Sequence, residues 1–368
     1  MHGRQTGRMR RAGHWLGTAI GLAAMAYAFR NVSVGATAAL LRDLHAGIWL
    51  IPLPFAMAQL TETWAWKTGF AELRCSVPYI ALLRVRLACE SLVQTCPGGI
   101  VIAESIKPGL LMSQCGLTAS DAVCGTASRK LLLLVAQCGY FALAALLGLP
   151  ALLAVAHAST AGRILSAGVA ATWLVLLLAA VMLGFVLGRG DICRRMHSTL
   201  ARVPLRALRH KLLKCKPSFL ESDQKIAEFC ALGPRRLAKT TALYLLAWCW
   251  EAIETAMLLS LLGLRLDFGT LCLVEICAST IRQIAFLSPA GLGVQDLSYA
   301  GLLQIFGVPD ALGVAAAFIV LKRGKELLWS LIGYVLLMRM RSPTRVLGKP
   351  AQPAFPARIE IQKGMGWT

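Results

Sequence analysis

The stretch PGGIVIAE occupies residues 97–104, and a related stretch, PAGLGVQD, occupies residues 289–296. Both follow one pattern: proline, a small residue, glycine, an aliphatic residue, any residue, an aliphatic residue, any residue and an acid. Gly-Leu-Leu follows each acid after the same interval, at residues 109–111 and 301–303. This shared order of a Pro-Gly turn, an acid and Gly-Leu-Leu indicates an internal duplication.

The duplication continues beyond these stretches when a small gap is allowed. Arg129 precedes Tyr140 by the same number of residues that separates Arg323 from Tyr334, and a glycine stands directly before each tyrosine. The sequence therefore predicts two halves built on one plan.

The composition places both halves in a membrane. Of the 368 residues 57% are hydrophobic and 15% are charged, and the mean hydropathy is +0.63. Soluble globular chains average about 45–50% apolar and about 25% charged residues. Because too little polar surface remains to cover a water-soluble body, cytosolic, collagenous and disordered proteins are excluded, and the length suits a multi-span membrane protein.

The formal net charge of +20 is concentrated beside apolar segments. Residues 1–13 carry four arginines and no acid, residues 188–239 carry 13 basic residues against four acids, and residues 339–368 carry six against one. This distribution is the positive-inside pattern rather than a nucleic-acid-binding surface. We therefore predict a multi-pass protein of a bacterial inner membrane with both termini in the cytoplasm, and no nucleic-acid partner.

Three segments at the borders of the halves have their own predictions. Residues 1–13 and the apolar residues that follow fit either a signal peptide or an uncleaved first span, and we favour the span. The stretch 188–239 is predicted to be a basic cytoplasmic loop, in which residues 202–216 form either an amphipathic element on the inner leaflet or a solvated segment. The tail, 341–368, is predicted to be cytoplasmic and disordered.

The two duplicated regions do not fit a simple alternation of spans and loops. Residues 78–124 and 269–308 are apolar enough to enter the bilayer, yet proline, glycine and charge interrupt them. Irregular backbone at membrane depth is tolerated only when it is buried in protein or lines a wet cavity. We therefore predict an all-α polytopic membrane protein whose halves, 14–187 and 240–340, form an inverted repeat with two re-entrant helical hairpins and about six to eight crossing helices.

A hairpin whose Pro-Gly turn starts a short helix can present amide groups to an anion, because glycine leaves the backbone accessible. Basic residues near both turns strengthen this prediction, and the nearby acids are expected to orient them or to carry a coupling proton. The candidate substrate-binding residues are Gly98, Gly99, Glu104, Lys107, Arg129, Lys130, Arg282, Gly291, Gly293, Asp296, Lys322 and Arg323. Structural ion pairing is the competing interpretation of each single charge.

No motif for catalysis or metal binding accompanies these residues. HExxH, GxSxG and P-loop patterns are absent from the sequence, and the 12 cysteines form no CxxC pair. We therefore predict no catalytic residue, metal or cofactor, and regard an enzyme as the less favoured class. An intramembrane lipid-modifying enzyme that uses Glu104 or Asp296 as an acid or base stays open.

The second hairpin resembles a known family. Ser288 to Asp296 (SPAGLGVQD), the following Phe-Gly-Val-Pro at 306–309 and the helix through Lys322 resemble the transmembrane region of lysylphosphatidylglycerol synthases, and the first-half turn with Glu104 supports this. The family typically has Pro-Gly-Gly-x-Gly and a glutamate where this chain has Pro-Ala-Gly-Leu-Gly and Asp296. The resemblance covers roughly residues 10–340.

In the full-length synthases, the membrane part is associated with flipping aminoacylated phospholipid, and a separate soluble domain makes that lipid. We expect no such domain here and no synthase activity. The resemblance implies a lipid translocase, with membrane lipids of anionic headgroup as partners, and similarity to proteins of hopanoid pathways leaves a polycyclic lipid open. The alternative from another class is a scaffold that recruits lipid-synthesis enzymes through residues 189–239.

Overall fold

The computed structural model describes residues 44–96, 98–201, 206–284 and 291–340, together with Gly35 and Arg42. Within these ranges every regular element is helical, and no strand occurs. The predicted first span, the basic segment 1–13, the tail 341–368 and both turn prolines, Pro97 and Pro289, lie outside the described residues.

Twelve α-helices follow a short 3-10 helix, His45–Leu50, in the described part of the chain. They are α1 Pro52–Glu72, α2 Tyr79–Thr95, α3 Gly99–Cys115, α4 Ala119–Leu147, α5 Leu149–Ala158, α6 Thr160–Gly188, α7 Ile192–Ala201, α8 Arg206–Ala231, α9 Pro234–Leu261, α10 Phe268–Ile284, α11 Val294–Ile305 and α12 Ala311–Arg339.

Three of these helices, α4, α6 and α9, are long and apolar enough to cross a membrane. Helix α6 shows why lipid is needed, because most of its apolar side chains point away from the rest of the protein; Leu174, Val175 and Leu178 are all more than half exposed. Such a surface would not stay dissolved in water. The chain is thus an all-α membrane protein. The predicted number of six to eight crossing helices is larger than three because it also counts residues 14–29 and the more charged helices α1 and α12.

The apolar run 131–156, expected to be one crossing, is divided at Gly148 into α4 and α5. A side chain at Gly148 would meet Leu273 at 2.4 Å, so the glycine lets α10 approach closely. Pro150 then starts α5, as proline does in the first turn of a helix. Helix α5 packs against α6 and α10 rather than continuing α4.

Both predicted hairpin regions contain a pair of short packed helices. Helices α2 and α3 are joined by residues 96–98, with Gly98 at φ +65°. Helices α10 and α11 are joined by residues 285–293, of which Gly291 and Gly293 have positive φ. The first pair ends earlier than predicted, because residues 119–124 already belong to α4. Entry and exit on one side of the bilayer stays a prediction.

The packing of the helices is duplicated. In half one, α1 packs on α2 and α4, α2 on α3, and α3 on α4; in half two, α9 to α12 repeat each of these contacts in order. Between the halves, α2 packs on α12 just as α10 packs on α4, and α1 packs on α9. We refer below to α1–α4 as half one and to α9–α12 as half two.

The segment expected to be a basic loop is mostly helical. Helices α7 and α8 pack on each other, and α8 also packs on α4 and α6. Asp223 of α8 accepts the backbone N–H groups of Cys193 and Arg194 at 2.7 and 2.8 Å, which caps the start of α7. Residues 234–239, placed in the loop by sequence, form the first turns of α9.

Candidate functional site

A cavity of about 230 Å³ lies where the two halves meet. Half one lines it with residues of α1, α2, α3 and α4, and half two with residues of α9 and α10 together with Gly291. The polar members of its lining are Gln59, Glu62, Arg86, Glu90, Gln94, Glu104, Arg129, Lys130, Gln137, Glu251 and Arg282.

Glycines next to both hairpin turns reach this cavity. Gly99 starts α3, and a Cβ atom there would lie 2.1 Å from the carbonyl oxygen of Leu92, so no other residue fits without moving α2. Gly291 has φ +67°, a conformation that L side chains rarely adopt. The two turns, 192 positions apart in the sequence, therefore approach one shared space.

The same offset of 192 relates further lining positions. It pairs Gln59 with Glu251 on the first helix of each half and Glu90 with Arg282 on the second. It also pairs Glu62 with Glu254, each followed by a threonine. The duplication thus reaches both walls of the cavity, a relationship that the Pro-Gly motifs alone did not reveal.

The charged side chains of half one cluster around Glu62, whose carboxylate accepts hydrogen bonds from both Arg86 and Arg129. Arg129 also approaches Glu104 at 3.5 Å, and Lys107 bonds the same carboxylate at 2.7 Å. Four of these residues, all except Lys107, line the cavity. A charge at the bilayer centre costs about 2.5–3.5 kcal/mol on insertion scales, so this pairing and access to the cavity explain how α1 to α4 tolerate the charges.

The motif acid of half two has the equivalent partner. Arg323 bonds Asp296 at 2.7 Å, which repeats the Arg129–Glu104 pair, and Arg323 also bonds Glu326 at 2.6 Å. Asp296 additionally accepts the N–H of Gly293 at 2.9 Å and so caps α11. A carboxylate of the protein itself therefore occupies the positive end of this helix, where the sequence predicted an external anion.

The start of α3 is similarly occupied. The N–H of Gly99 donates to Cys96 O, and those of Val101 and Ile102 donate to Gly98 O, at 2.9 to 3.2 Å. Most amides at this turn are thus used within it. The groups of half one that can meet an anion are the side-chain cations of the cavity rather than the helix end.

A second ionic network lies in half two, away from the cavity. Glu254 pairs with Lys325 and lies 3.9 Å from Lys322, which in turn contacts Glu275 at 3.6 Å and the hydroxyl of Tyr299 at 2.7 Å. All five side chains are buried, and none lines the cavity. This network joins α9, α10, α11 and α12.

The structure divides the twelve predicted site residues evenly. Those that line the cavity are Gly99, Glu104, Arg129, Lys130, Arg282 and Gly291. Those that do not are Gly98, Lys107, Gly293, Asp296, Lys322 and Arg323. Lys107, Lys322 and Arg323 are held in ion pairs outside it, while Gly98 and Gly293 shape the turns.

Several lining residues were not predicted. Glu62 and the glutamines at 59 and 137 lie in apolar segments that the sequence analysis took as ordinary spans, while Arg86 and Gln94 lie in the predicted first hairpin but were not selected. A usable signal was present, since the 192-residue offset already joins Glu62-Thr63 to Glu254-Thr255. Glu90 and Glu251 were recognised only as partners for the cations.

The cavity is polar and balanced in charge. Its lining includes four acids, Glu62, Glu90, Glu104 and Glu251, and four bases, Arg86, Arg129, Lys130 and Arg282. Five buried polar atoms of its lining residues make no hydrogen bond within the described residues: Gln59 Oε1, Arg86 Nε, Arg129 Nε, Gln137 Nε2 and Trp248 Nε1. Buried polar groups are normally satisfied, so this space is suited to water or a polar ligand.

Comparison with known proteins agrees with this membrane architecture. A family model described as "Lysylphosphatidylglycerol synthase TM region" matches residues 14–321. A protein named "UPF0104 membrane protein" from Methanothermobacter thermautotrophicus is 26% identical over 133 residues, which cover 35% of this chain and 38% of that protein. The match therefore spans well under half of the relative. No solved structure matches.

Proposed function

This chain belongs to the lysylphosphatidylglycerol synthase transmembrane-region family, and from that premise we propose that it moves a lipid across the membrane. The anionic group of the lipid headgroup occupies the cavity between the halves, and the tails remain in the bilayer. The observation that carries the proposal is that both hairpin turns, at Gly99 and Gly291, line one polar cavity.

The side chains of the cavity support headgroup binding. Arg129, Lys130 and Arg282 present cationic groups there, and Arg282 is held by Glu251 only at 3.7 Å. A phosphate accepts charge-assisted hydrogen bonds from guanidinium and ammonium groups, which are about twice as strong as neutral ones. The glutamines and the unpaired buried nitrogens add further donors for the headgroup or for the water that accompanies it.

The duplicated packing supports movement of that headgroup. Two halves with the same contacts can exchange conformations, so that the cavity opens first to one side and then to the other. The acid–arginine pairs Glu104–Arg129 and Asp296–Arg323 connect the third and fourth helices of each half. We assign these pairs to holding each hairpin against its neighbour during that exchange.

Flipping in proteoliposomes tests the proposal. Phospholipids labelled on an acyl chain are reconstituted with the purified protein, and their exposure is followed by chemical quenching from outside. We expect the wild type to flip lipid faster than protein-free vesicles, and Glu104→Gln and Asp296→Asn to be slower. Glu72→Gln, at the end of α1 beside Arg236, is the matched control and should flip normally.

A wild-type rate equal to that of empty vesicles would contradict lipid movement. Unchanged flipping by folded Glu104→Gln and Asp296→Asn proteins would contradict the role assigned to the acid–arginine pairs. The scaffold alternative makes the reverse prediction, in which alanine at Arg206, Arg209 and Lys211 abolishes function in cells while the two acid variants leave it intact.

A further inference from the structure

Two charged side chains of the cavity have no ionic partner among the described residues. Glu90 of α2 accepts only an amide hydrogen bond from Gln94, at 3.1 Å, and forms no ion pair. Lys130 of α4 likewise forms no ion pair with a carboxylate. Every other acid and base in the lining has a partner of opposite charge within 4.0 Å.

Segments that complete the hairpin turns cannot supply the missing partners. Residues 283–290 read QIAFLSPA, and residue 97 is proline, so none of them is ionisable. One carboxylate and one ammonium group thus face the same space, and neither has an ion-pair partner within 4.0 Å in the described part of the chain. Both groups line the cavity, so a polar ligand that enters it can supply the missing partners and lower the cost of an unpaired charge within a membrane.

The duplication places opposite charges at one pair of equivalent positions. Glu90 and Arg282 occupy equivalent positions, 192 residues apart, on the second helix of each half, and both line the cavity. An anionic headgroup alone would be attracted by Arg282 and Lys130 but repelled by Glu90. A headgroup that carries an ammonium group as well as a phosphate would complement all three charges.

The aromatic lining favours a primary over a quaternary ammonium group. Quaternary groups are typically held by several free aromatic faces. Phe55 already has the ammonium of Lys325 4.6 Å from its ring centre, and Trp248 stacks on Tyr140 with the ring centres 6.0 Å apart. A carboxylate is therefore the principal cation-binding group, and it prefers a cation that can donate hydrogen bonds.

We propose that the cavity selects a zwitterionic phospholipid headgroup, with its primary ammonium bound by Glu90 and its phosphate bound by Lys130 and Arg282. This inference rests on the proposed lipid movement and adds the substrate class and a specificity residue. Glu90 acts on the headgroup itself, so its substitution changes which lipid moves rather than whether the protein folds.

The test compares three acyl-labelled lipids in separate proteoliposomes: phosphatidylethanolamine, phosphatidylcholine and phosphatidylglycerol. Labels on the headgroup are avoided, because they consume the ammonium group. We expect the wild type to flip phosphatidylethanolamine fastest. Glu90→Gln should lose about tenfold for that lipid, the factor set by one charge-assisted contact, and little for phosphatidylglycerol.

Two further variants sharpen the result. Glu90→Asp keeps the carboxylate and should retain the preference for phosphatidylethanolamine. Glu90→Arg places a cation at both equivalent positions, 90 and 282, and should invert the preference toward phosphatidylglycerol. Glu72→Gln is the control and should match the wild type for all three lipids.

The outcomes separate this inference from the proposed function. Equal flipping of all three lipids by the wild type, or an unchanged lipid preference in Glu90→Gln, overturns the headgroup selection and leaves lipid movement standing. The absence of flipping for every lipid overturns the proposed function itself. A wild type that moves phosphatidylcholine as fast as phosphatidylethanolamine overturns the assignment of a primary ammonium group.

Discussion

Halves one and two share a packing plan but use their charges differently. In half one, Glu62 and its two arginines border the cavity, and Glu62 retains access to it. In half two, the equivalent Glu254 is 3% exposed and lies in a network with Lys322 and Lys325 outside the cavity. The same position thus borders the cavity in one half and lies in a buried helix junction outside it in the other.

The two halves share their helix packing more closely than the placement of their charged side chains. Each motif acid still pairs with an arginine of the following long helix, Glu104 with Arg129 and Asp296 with Arg323. Beyond that shared pair, Lys322 and Lys325 of half two form a network outside the cavity that joins α12 to its neighbours. In half one, Glu62, Arg86, Arg129 and Glu104 all line the cavity. Half two is accordingly expected to be the rigid partner.

The largest effect is expected from the removal of Glu254. In Glu254→Gln, the buried side chains of Lys325 and Lys322 lose a carboxylate partner. Removal of one partner from a buried ion pair costs about 3–5 kcal/mol. We expect a large fall in the free energy of unfolding, measured by chemical denaturation in detergent. The double variant Glu254→Gln/Lys325→Met should recover much of it; no recovery would refute a local pairing effect.

Glu62→Gln makes the same change in half one. Its arginines border the cavity and can be hydrated, so the loss should be near that of a charged hydrogen bond, about 1.5–3 kcal/mol. The lipid flipping rate of Glu62→Gln should fall more than that of Glu254→Gln/Lys325→Met, the double variant in which stability is recovered. If Glu62→Gln destabilises the protein as strongly as Glu254→Gln, the two halves do not differ in the way described.

Alanine substitutions at Gly99 and Gly291 compare how much each hairpin turn depends on its glycine for stability. In Gly99→Ala the new methyl group meets backbone atoms of Leu92 and Val93 at 2.1 and 2.8 Å, which cannot move without α2. Overpacking of this kind typically costs about 1–3 kcal/mol. Gly291→Ala places an L side chain at φ +67°, which costs about 1–2 kcal/mol, but its closest contact, at 3.1 Å, is the flexible stem of Arg282, so we expect it to cost less than Gly99→Ala.

The loss of stability in Gly99→Ala and Gly291→Ala is measured by thermal unfolding. Gly168→Ala is the control, since that helical glycine has nothing within 4 Å of an added methyl group and alanine favours a helix. A smaller loss for Gly99→Ala than for Gly291→Ala would show that the close approach of α2 and α3 is not what the glycine provides.

The smallest effect is expected outside the membrane core, where Lys225 of α8 bonds Asp121 of α4 at 2.5 Å and Glu221 at 2.8 Å. Burial disfavours the charged form of Lys225, but these bonds outweigh it and raise its pKa above the usual 10.5. Its contribution to stability is therefore complete below pH 10.5 and is lost as pH rises through the higher folded-state pKa.

Lys225→Met should cost about 0–1 kcal/mol, the range for partly exposed pairs. Limited proteolysis of α8 is the measurement, and Lys239→Met of α9 is the control. Faster cleavage of α8 in Lys225→Met alone would confirm that this pair docks α8 on half one. Equal cleavage in both variants would contradict that role.

Much of the fold followed from the sequence because composition and repeats act over many residues. The excess of apolar residues required lipid whatever the helix arrangement, and the Pro-Gly-acid pattern marked two helix pairs that the structure contains. The break at Gly148 was missed because an apolar run does not show which neighbour will pack against it. For residues 192–231 the sequence left an amphipathic element and a solvated segment open, and the structure has two helices there.

By itself the sequence determined that this is an all-α membrane protein, that it is duplicated and that each hairpin carries an acid. Only the tertiary structure decided which charges meet: Arg129 with Glu62, 67 residues away, and Lys325 with Glu254, 71 residues away. Apolar character and repetition are summed along the chain, whereas the partner of a charge depends on angles between helices that no local pattern records. The cavity is accordingly a property of how the halves pack. Only its lining showed that Glu90 and Lys130 have no ion-pair partner among the residues that the structure describes.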